Sequence, residues 1–220
     1  MNGSASPLQI VVLLSGSGTT LQAIIDEMQA GNINVEIKAV ISDQSQATGL
    51  TRAENAGIET CALSPRDYPD RQGFDHALAS CIDRYKPQYI VLAGFMRILG
   101  KSFVERFAGK ILNIHPSLLP RFRGLDTYAR VLEAGDAEHG TSVHFVTAEL
   151  DGGPLIMQSR VKVLEGDDEE SLSARVKERE RKMYPAVLDM IAAKRIEMKD
   201  GQAWLDNQPL DHPLEFDPSK

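Results

Sequence analysis

The sequence predicts an α/β fold: a mixed, mostly parallel sheet with helices on both faces, built as a single domain. Three observations carry this. Apolar runs of strand length alternate with segments of helical period, the pattern of a parallel sheet whose strands are buried on both faces. A glycine-rich break, Ser15-Gly-Ser-Gly18, follows the first apolar run and opens the first helical segment. Late in the chain two strand-like runs flank Asp151-Gly-Gly-Pro154, a turn that predicts an antiparallel pair.

Each element follows from local pattern. Leu8 to Leu14 is a solid apolar run and reads as a buried strand. Thr19 to Ala30 places Leu21, Ile24, Ile25 and Met28 at helical spacing, and Gly31 ends it. Val35 to Ser42 is the second strand, Ala47 to Ala56 a short helix closed by Gly57, and Ile58 to Leu63 the third strand. Phe74 to Tyr85 carries Leu78 and Ile82 four apart and stops before Pro87. Tyr89 to Ala93 is again a buried strand, Lys101 to Phe107 is helical, and Lys110 to Ile114 is a strand running into His115-Pro116. Thr141 to Thr147 and Leu155 to Val163 form the late pair. Glu169 to Ala193 is a long helix with Leu172, Val176, Met183, Val187 and Ile191 on one stripe, and Pro185 is expected to bend it. Residues 1–7 are expected to be disordered, 8–206 to form the domain, and 207–220, rich in Pro and Asp, to be a loose tail.

Composition narrows the function. The chain has 220 residues, 42% of them apolar, enough for a core without disulfide or metal staples. No uninterrupted apolar run exceeds five residues, and the start lacks the segments of a signal peptide, so no membrane partner and a cytoplasmic location are expected. With 24 basic and 31 acidic side chains the net charge is −7, which argues against nucleic acid as partner. Cys61 and Cys81 form neither a disulfide framework nor a metal motif, and the five histidines show no zinc spacing, so no metal is expected.

The glycine loop stands where open α/β sheets bind ligands, outside the carboxyl end of a strand. Free backbone N–H groups and the helix dipole favour an anion there, and Gly16 and Gly18 permit close approach. A phosphomonoester, a purely structural turn and a dinucleotide all remain open. Leu21 stands where a dinucleotide fingerprint needs its third glycine, and the P-loop ending is missing. Asp43, just past the second strand, is within reach of a ribose.

A polar constellation follows. Strand alternation puts Asn113 and His115 on one side and Ile114 on the other. An amide beside an imidazole suits a developing oxyanion, although a histidine at a strand end is also an ordinary structural residue. Asp151 is a turn residue by type, and a carboxylate there can also orient a histidine or accept its proton. His144 lies opposite Val143 and Phe145, either as a core histidine or in support of the site. Glu180 falls on the apolar stripe of the long helix. It is either a stripe edge open to water or a clamp for a cationic or hydroxylated ligand.

Taken together, Ser15-Gly-Ser-Gly18, Leu92-Ala-Gly-Phe-Met-Arg-Ile-Leu99, Asn113-Ile-His-Pro-Ser-Leu-Leu-Pro120, His139-Gly-Thr-Ser-Val-His-Phe-Val146 and Leu150-Asp-Gly-Gly-Pro154 resemble the phosphoribosylglycinamide formyltransferases, in order and in spacing, over residues 8–205. The resemblance implies a Rossmann-like sheet and an enzyme of purine biosynthesis. It would move the formyl group of 10-formyltetrahydrofolate, a co-substrate, to the amine of glycinamide ribonucleotide by direct attack through a tetrahedral intermediate. It further implies that Asn113, His115 and Asp151 are catalytic, and that Gly18, Thr19 and Thr20 bind the substrate phosphate. Glu180 falls on a substrate-binding glutamate. Arg71, Met96, Arg97, Ile98, Leu99, Asn113, Thr147, Ala148, Glu149, Leu150 and Asp151 fall on the formylfolate site. A monomer or a dimer is expected.

Three departures bear on binding. The family's usual Gly-Ser-Asn is here Gly18-Thr-Thr20. Arg123-Gly-Leu-Asp126 replaces a commoner Pro-Gly-x-His in a mobile loop, and Arg181 stands where a histidine is common. Methionyl-tRNA formyltransferase shares the Asn-x-His…Asp core, and its Arg-Trp-Arg-Gly loop is close to Arg121-Phe-Arg-Gly124. That enzyme carries an additional basic RNA-binding domain, whereas about 70 residues follow Asp151 here. Formyltetrahydrofolate deformylase usually carries an extra N-terminal domain.

Overall fold

Five consecutive residues of the first apolar run, Ile10 to Leu14, are wholly inaccessible to solvent. Alternation along this strand, β1 (Leu8–Leu14), sends Ile10, Val12 and Leu14 into one core and Val11 and Leu13 into another on the opposite face. A run with no polar alternation is therefore what a central strand with helices above and below requires. The structure, a computed structural model, describes residues 6–217. The expectation of a disordered start falls, for residues 1–5, outside the described residues.

After β1 come α1 (Thr19–Gln29), β2 (Val35–Ser42), α2 (Thr48–Asn55), β3 (Thr60–Ala62), α3 (Arg71–Tyr85), β4 (Tyr89–Leu92), α4 (Lys101–Arg106) and β5 (Ile111–His115). Then follow α5 (Thr127–Ala134), β6 (Glu138–Phe145), β7 (Leu155–Lys162) and α6 (Glu169–Ala192). Four short strands end the chain: β8 (Ile196–Lys199), β9 (Gln202–Leu205), β10 (Gln208–Pro209) and β11 (Leu214–Glu215). The main sheet runs β11-β7-β6-β5-β4-β1-β2-β3. Pairs from β5 to β3 are parallel, while β5–β6 and β6–β7 are antiparallel, so the sheet is mixed and mostly parallel as the sequence predicts. β1 has β2 on one side and β4 on the other. Their diverging loops open a crevice at the strands' carboxyl ends, the usual ligand position in such sheets.

One core packs α1 and α6 against the sheet through Leu21, Ile24, Ile25, Tyr184 and Val187; the other packs α3 and α4 through Phe74, Leu78, Ile82 and Phe103. Tyr184 is fully buried, and its hydroxyl donates to the Leu92 carbonyl across 3.2 Å, fastening α6 over β4. α6 starts at a capping box in which Asp168 Oδ1 accepts from Ser171 N and Ser171 Oγ accepts from Asp168 N. The helix continues through Pro185.

The structure departs from the sequence reading in five places. β6 starts at Glu138, three residues before Thr141, and ends at Phe145 rather than Thr147. β3 is confined to Thr60–Ala62. α3 starts at Arg71, three residues before Phe74, because Asp70 accepts from Gly73 N and caps it. α5 and the β8–β9–β10 sheet were not anticipated. The tail is not loose over residues 208–216. Gln208 and Pro209 pair with β9, Leu214 and Glu215 pair with β7, and Phe216 N donates to Gln158 O at 2.7 Å. The reason is non-local: without this strand β7 would be a bare sheet edge.

β6 and β7 approach closely at Gly140, where a Cβ would stand 2.1 Å from Ser159 O and 2.7 Å from Leu118 Cδ2. Gly140→Ala is expected to destabilise the fold by about 1–3 kcal/mol, as overpacking does. At roughly 2–4 °C per kcal/mol for a chain of this size, calorimetry should register a clear fall in melting temperature. An unchanged melting temperature would mean that these strands separate freely.

Candidate active site

The site is built on β5. Asn113 and His115 face the same side, and the antiparallel register sets Asn113 opposite His144 and His115 opposite Ser142. His144 is 1% exposed; its Nδ1 lies 2.8 Å from the Phe145 carbonyl and its Nε2 lies 3.2 Å from Asn113 Nδ2. A carbonyl only accepts, so Nδ1 carries the proton and Nε2 accepts from the Asn113 amide. Burial holds His144 neutral by pushing its pKa down, against the opposing pull of the Phe145 carbonyl and Asp151. The Asn113 amide is thereby oriented, with its second N–H left for another oxygen.

The same logic fixes His115, which is 6% exposed. Its Nε2 lies 3.0 Å from the Phe122 carbonyl, so Nε2 is the protonated nitrogen, and Nδ1 faces Asp151 Oδ2 at 3.5 Å. That gap exceeds a formed N–H···O bond. Asp151 sits at φ +47° on the turn after β6, a left-handed position that Asp tolerates, and Gly124 N donates to its Oδ2 at 2.9 Å. Gly153 must be glycine, because a Cβ there would stand 1.8 Å from Phe145 O. The loop 121–126 closes over this group. Arg123 pairs with Glu149, Arg130 Nη1 donates to Arg123 O at 2.7 Å, and Arg121 and Arg130 both stack on the Phe122 ring. Phe122 O and Gly124 N–H are contributions that the sequence reading missed. Being main-chain groups, they have no side-chain signal.

Glu180 is not a stripe edge open to water: it is 8% exposed. The Thr141 hydroxyl lies 3.0 Å from His115 O and 3.4 Å from Glu180 Oε1, linking Glu180 to the end of β5. Burial pushes the Glu180 carboxyl up to about 7, with Thr141, Lys177 and Arg181 pulling the other way. His139, 1% exposed and edge-on to Phe122 and Tyr128, is pushed by burial down to about 4.

The glycine loop forms the second part. Gly18 adopts φ +69° as N-cap of α1, and the first turn of the helix holds no acidic side chain, so the positive end of the dipole is uncompensated. Arg52 Nε donates to Ser17 O at 2.8 Å and Gly49 N to Gly16 O at 3.1 Å, which fasten the loop. Thr19 lies at the opening and Thr20 is buried. Asp43 is 4% exposed, with Oδ2 accepting from its neighbour Gln44.

The segment after β4 forms the third. Met96 N donates to Ser15 Oγ at 2.8 Å, joining it to the glycine loop. Gly100 N donates to Asp75 Oδ2 at 2.8 Å, and Arg71 Nε lies 3.9 Å from the same oxygen. Arg97 stacks over Phe74 at 5.1 Å. Met96, Ile98, Leu125 and Leu150 are the large exposed apolar side chains of these loops, an exposed apolar rim of the kind that marks a ligand groove. Thr147 to Leu150 lead into Asp151 of the candidate trio, while Arg71 is linked to the 96–100 segment through Asp75.

A doubly wound sheet with an amide and an imidazole at the end of β5 and a carboxylate beside them on the turn after β6 defines a Rossmann-type enzyme suited to acyl-group transfer. The comparisons with known proteins narrow this. The sequence profile described as formyl transferase matches residues 8–188. The phosphoribosylglycinamide formyltransferase of Escherichia coli K12 is 50% identical over 203 residues, 92% of this chain and 96% of that protein. Its Haemophilus influenzae counterpart is 45% identical over 202 residues, with 92% and 95% covered. The solved phosphoribosylglycinamide formyltransferase of Coxiella burnetii superposes with a TM-score of 0.90 at 49% identity, covering 94% of this chain and 99% of that one. The chain belongs to the formyl transferase family.

Glu180 sets a pH dependence. It binds its proton more tightly folded than unfolded, so its contribution is full below pH 4.5 and is lost as the pH rises through about 7. A shift of this size corresponds to about 3 kcal/mol at most. Melting temperatures between pH 4.5 and 8 should therefore fall less steeply in Glu180→Gln than in the wild type. Parallel profiles would show that the carboxyl is ionised in the fold.

Proposed function

We propose that this protein is a phosphoribosylglycinamide formyltransferase, transferring the formyl group of 10-formyltetrahydrofolate to the amine of glycinamide ribonucleotide in purine biosynthesis. The observation that carries the proposal is the Asn113–His115–Asp151 arrangement, with the protonated nitrogen of His115 tied back to Phe122 O and the other facing a carboxylate.

In this reading the neutral amine attacks the formyl carbon directly. A C–N bond forms and the carbonyl oxygen becomes an oxyanion, which accepts the free N–H of Asn113. As the reaction proceeds His115 meets the oxyanion as an imidazolium donating Nδ1–H, beside the Asp151 carboxylate. Because the cation meets a charge that develops only during reaction, it lowers the barrier more than it tightens ground-state binding. The amine's proton passes by way of Asp151 to the departing folate nitrogen, which leaves as the C–N bond to it breaks. The substrate phosphate lies on the N–H groups at Gly18 to Thr20, with Glu180 holding the rest of the nucleotide. The residues also suit the folate: the apolar Met96, Ile98 and Leu150 for its rings, and Arg71 and Arg97 for its carboxylates.

Formyl transfer measured with glycinamide ribonucleotide, tRNA or water as acceptor tests the assignment; transfer to tRNA or to water instead would replace it with the corresponding relative. Asp151→Asn keeps the shape and removes the charge, and should lower kcat by about 10²–10⁴-fold with both substrates still bound. Near-normal kcat from pH 6 to 9 would leave Asp151 a turn residue.

The phosphate site is best probed at Gly16, where a Cβ meets nothing within 4 Å, whereas at Gly18 it would stand 2.6 Å from Gly49 Cα and distort the fold itself. Gly16→Val sets a branched side chain in the phosphate's approach and should raise KM for the nucleotide about tenfold or more, the equivalent of one charge-assisted hydrogen bond, with KM for the folate unchanged. Equal changes in both would place the phosphate elsewhere.

A further inference from the structure

Two thiols lie together at the far edge of the sheet. Cys61 is the middle residue of β3, the last strand in the sheet order, and Cys81 is on the buried face of α3. Twenty residues apart in sequence, their sulfurs stand 3.3 Å from each other, with the Cys81 S–H donating to Cys61 Sγ. Three strands separate β3 from β5, about 20 Å at ordinary strand spacing, so the pair takes no part in formyl transfer. Cys81 is 5% exposed, whereas Cys61 is half-buried and opens the pair to solvent.

The surroundings are those of a reactive pair rather than of two inert core cysteines. Arg84, one turn after Cys81, donates from Nη2 to Cys81 Sγ at 3.2 Å. A guanidinium at that distance stabilises negative charge on sulfur, and the thiolate is the reactive form. Burial, then the Cys81 sulfur, push the Cys61 thiol up to about 11, so Cys61 keeps its proton. The pair thus sets two thiols in contact, one beside a guanidinium and the other open to solvent. Closing a disulfide brings the sulfurs to about 2.05 Å, a short move from their present contact.

We propose that Cys61 and Cys81 form an oxidisable dithiol, separate from the formyl-transfer site, that reacts with a hydroperoxide and closes to an internal disulfide. The thiolate attacks the terminal peroxide oxygen. An S–O bond forms, the O–O bond breaks, and the leaving alkoxide takes a proton to become an alcohol, or water when the oxidant is hydrogen peroxide. The second thiol then attacks the sulfenic sulfur. An S–S bond forms, the S–O bond breaks, and hydroxide leaves with that thiol's proton as water. Two thiols are oxidised by two electrons in all, and one peroxide is reduced.

The test exposes the reduced, full-length protein to hydrogen peroxide, alkylates remaining thiols and maps the peptides by mass spectrometry. The expected product is a monomer lighter by two hydrogens, with residues 61 and 81 linked and the link reversed by dithiothreitol. Cys61→Ser and Cys81→Ser should each abolish it while retaining formyl-transfer activity, which confirms that they fold. Arg84→Gln should slow closure about tenfold by removing the charge that favours the thiolate. Two free thiols after treatment, a disulfide between chains, or oxidation to sulfinic acid without the link would each overturn the proposal. Closure of Arg84→Gln at the wild-type rate would overturn the part given to the guanidinium.

Discussion

Asn113 faces His144 and His115 faces Ser142 only in one register of the antiparallel β5–β6 pair. A slip of one residue turns only one strand's pair away from the other's, and that is enough to part His144 from Asn113. The Ser142 hydroxyl donates to Ser117 O and accepts from Leu119 N, and Gln158 on β7 bonds both Ser142 and Leu119 O, so the chain leaving β5 is stitched to the next two strands. The β11 strand in turn covers the edge of β7. The parallel half of the sheet places the glycine loop; the antiparallel half holds the polar groups steady beside it.

Burial acts on this polar cluster in one direction. His139, His144 and the Glu180 carboxyl are all pushed toward their uncharged forms by loss of water. Uncharged, they still orient: His144 aligns the Asn113 amide, and Glu180 meets Thr141. The proposed reaction runs instead on His115 and Asp151, whose side chains stand 3.5 Å apart beneath the loop 121–126.

Much of this was legible in the sequence where the determining pattern is local. The apolar run of β1, the helical stripe of α6 and the odd place of Glu180 upon it can be read residue by residue, and alternation alone puts Asn113 and His115 on one side. α5 escaped notice because it spans only Thr127–Ala134, between two glycines, behind a left-handed Asp126 that makes no side-chain cap. The β8 strand is half charged, and the pairing of the tail depends on an edge 57 residues earlier in the chain. No sequence pattern marks Phe122 O or Gly124 N–H.

Those two groups give the loop 121–126 an unusual freedom. Every amino acid brings the same carbonyl, and every one but proline the same N–H, so the loop can change its side chains and keep its bonds to His115 and Asp151. The backbone narrows the choice at three places, Phe122 at φ +52°, Gly124 at +80° and Asp126 at +55°, where a β-branched side chain would be strained. Arg123 and Asp126 are positions at which evolution can redraw the charge and bulk of the rim without touching what lies beneath. Descendants of such a protein would differ first in what they admit, and last in what they do with it.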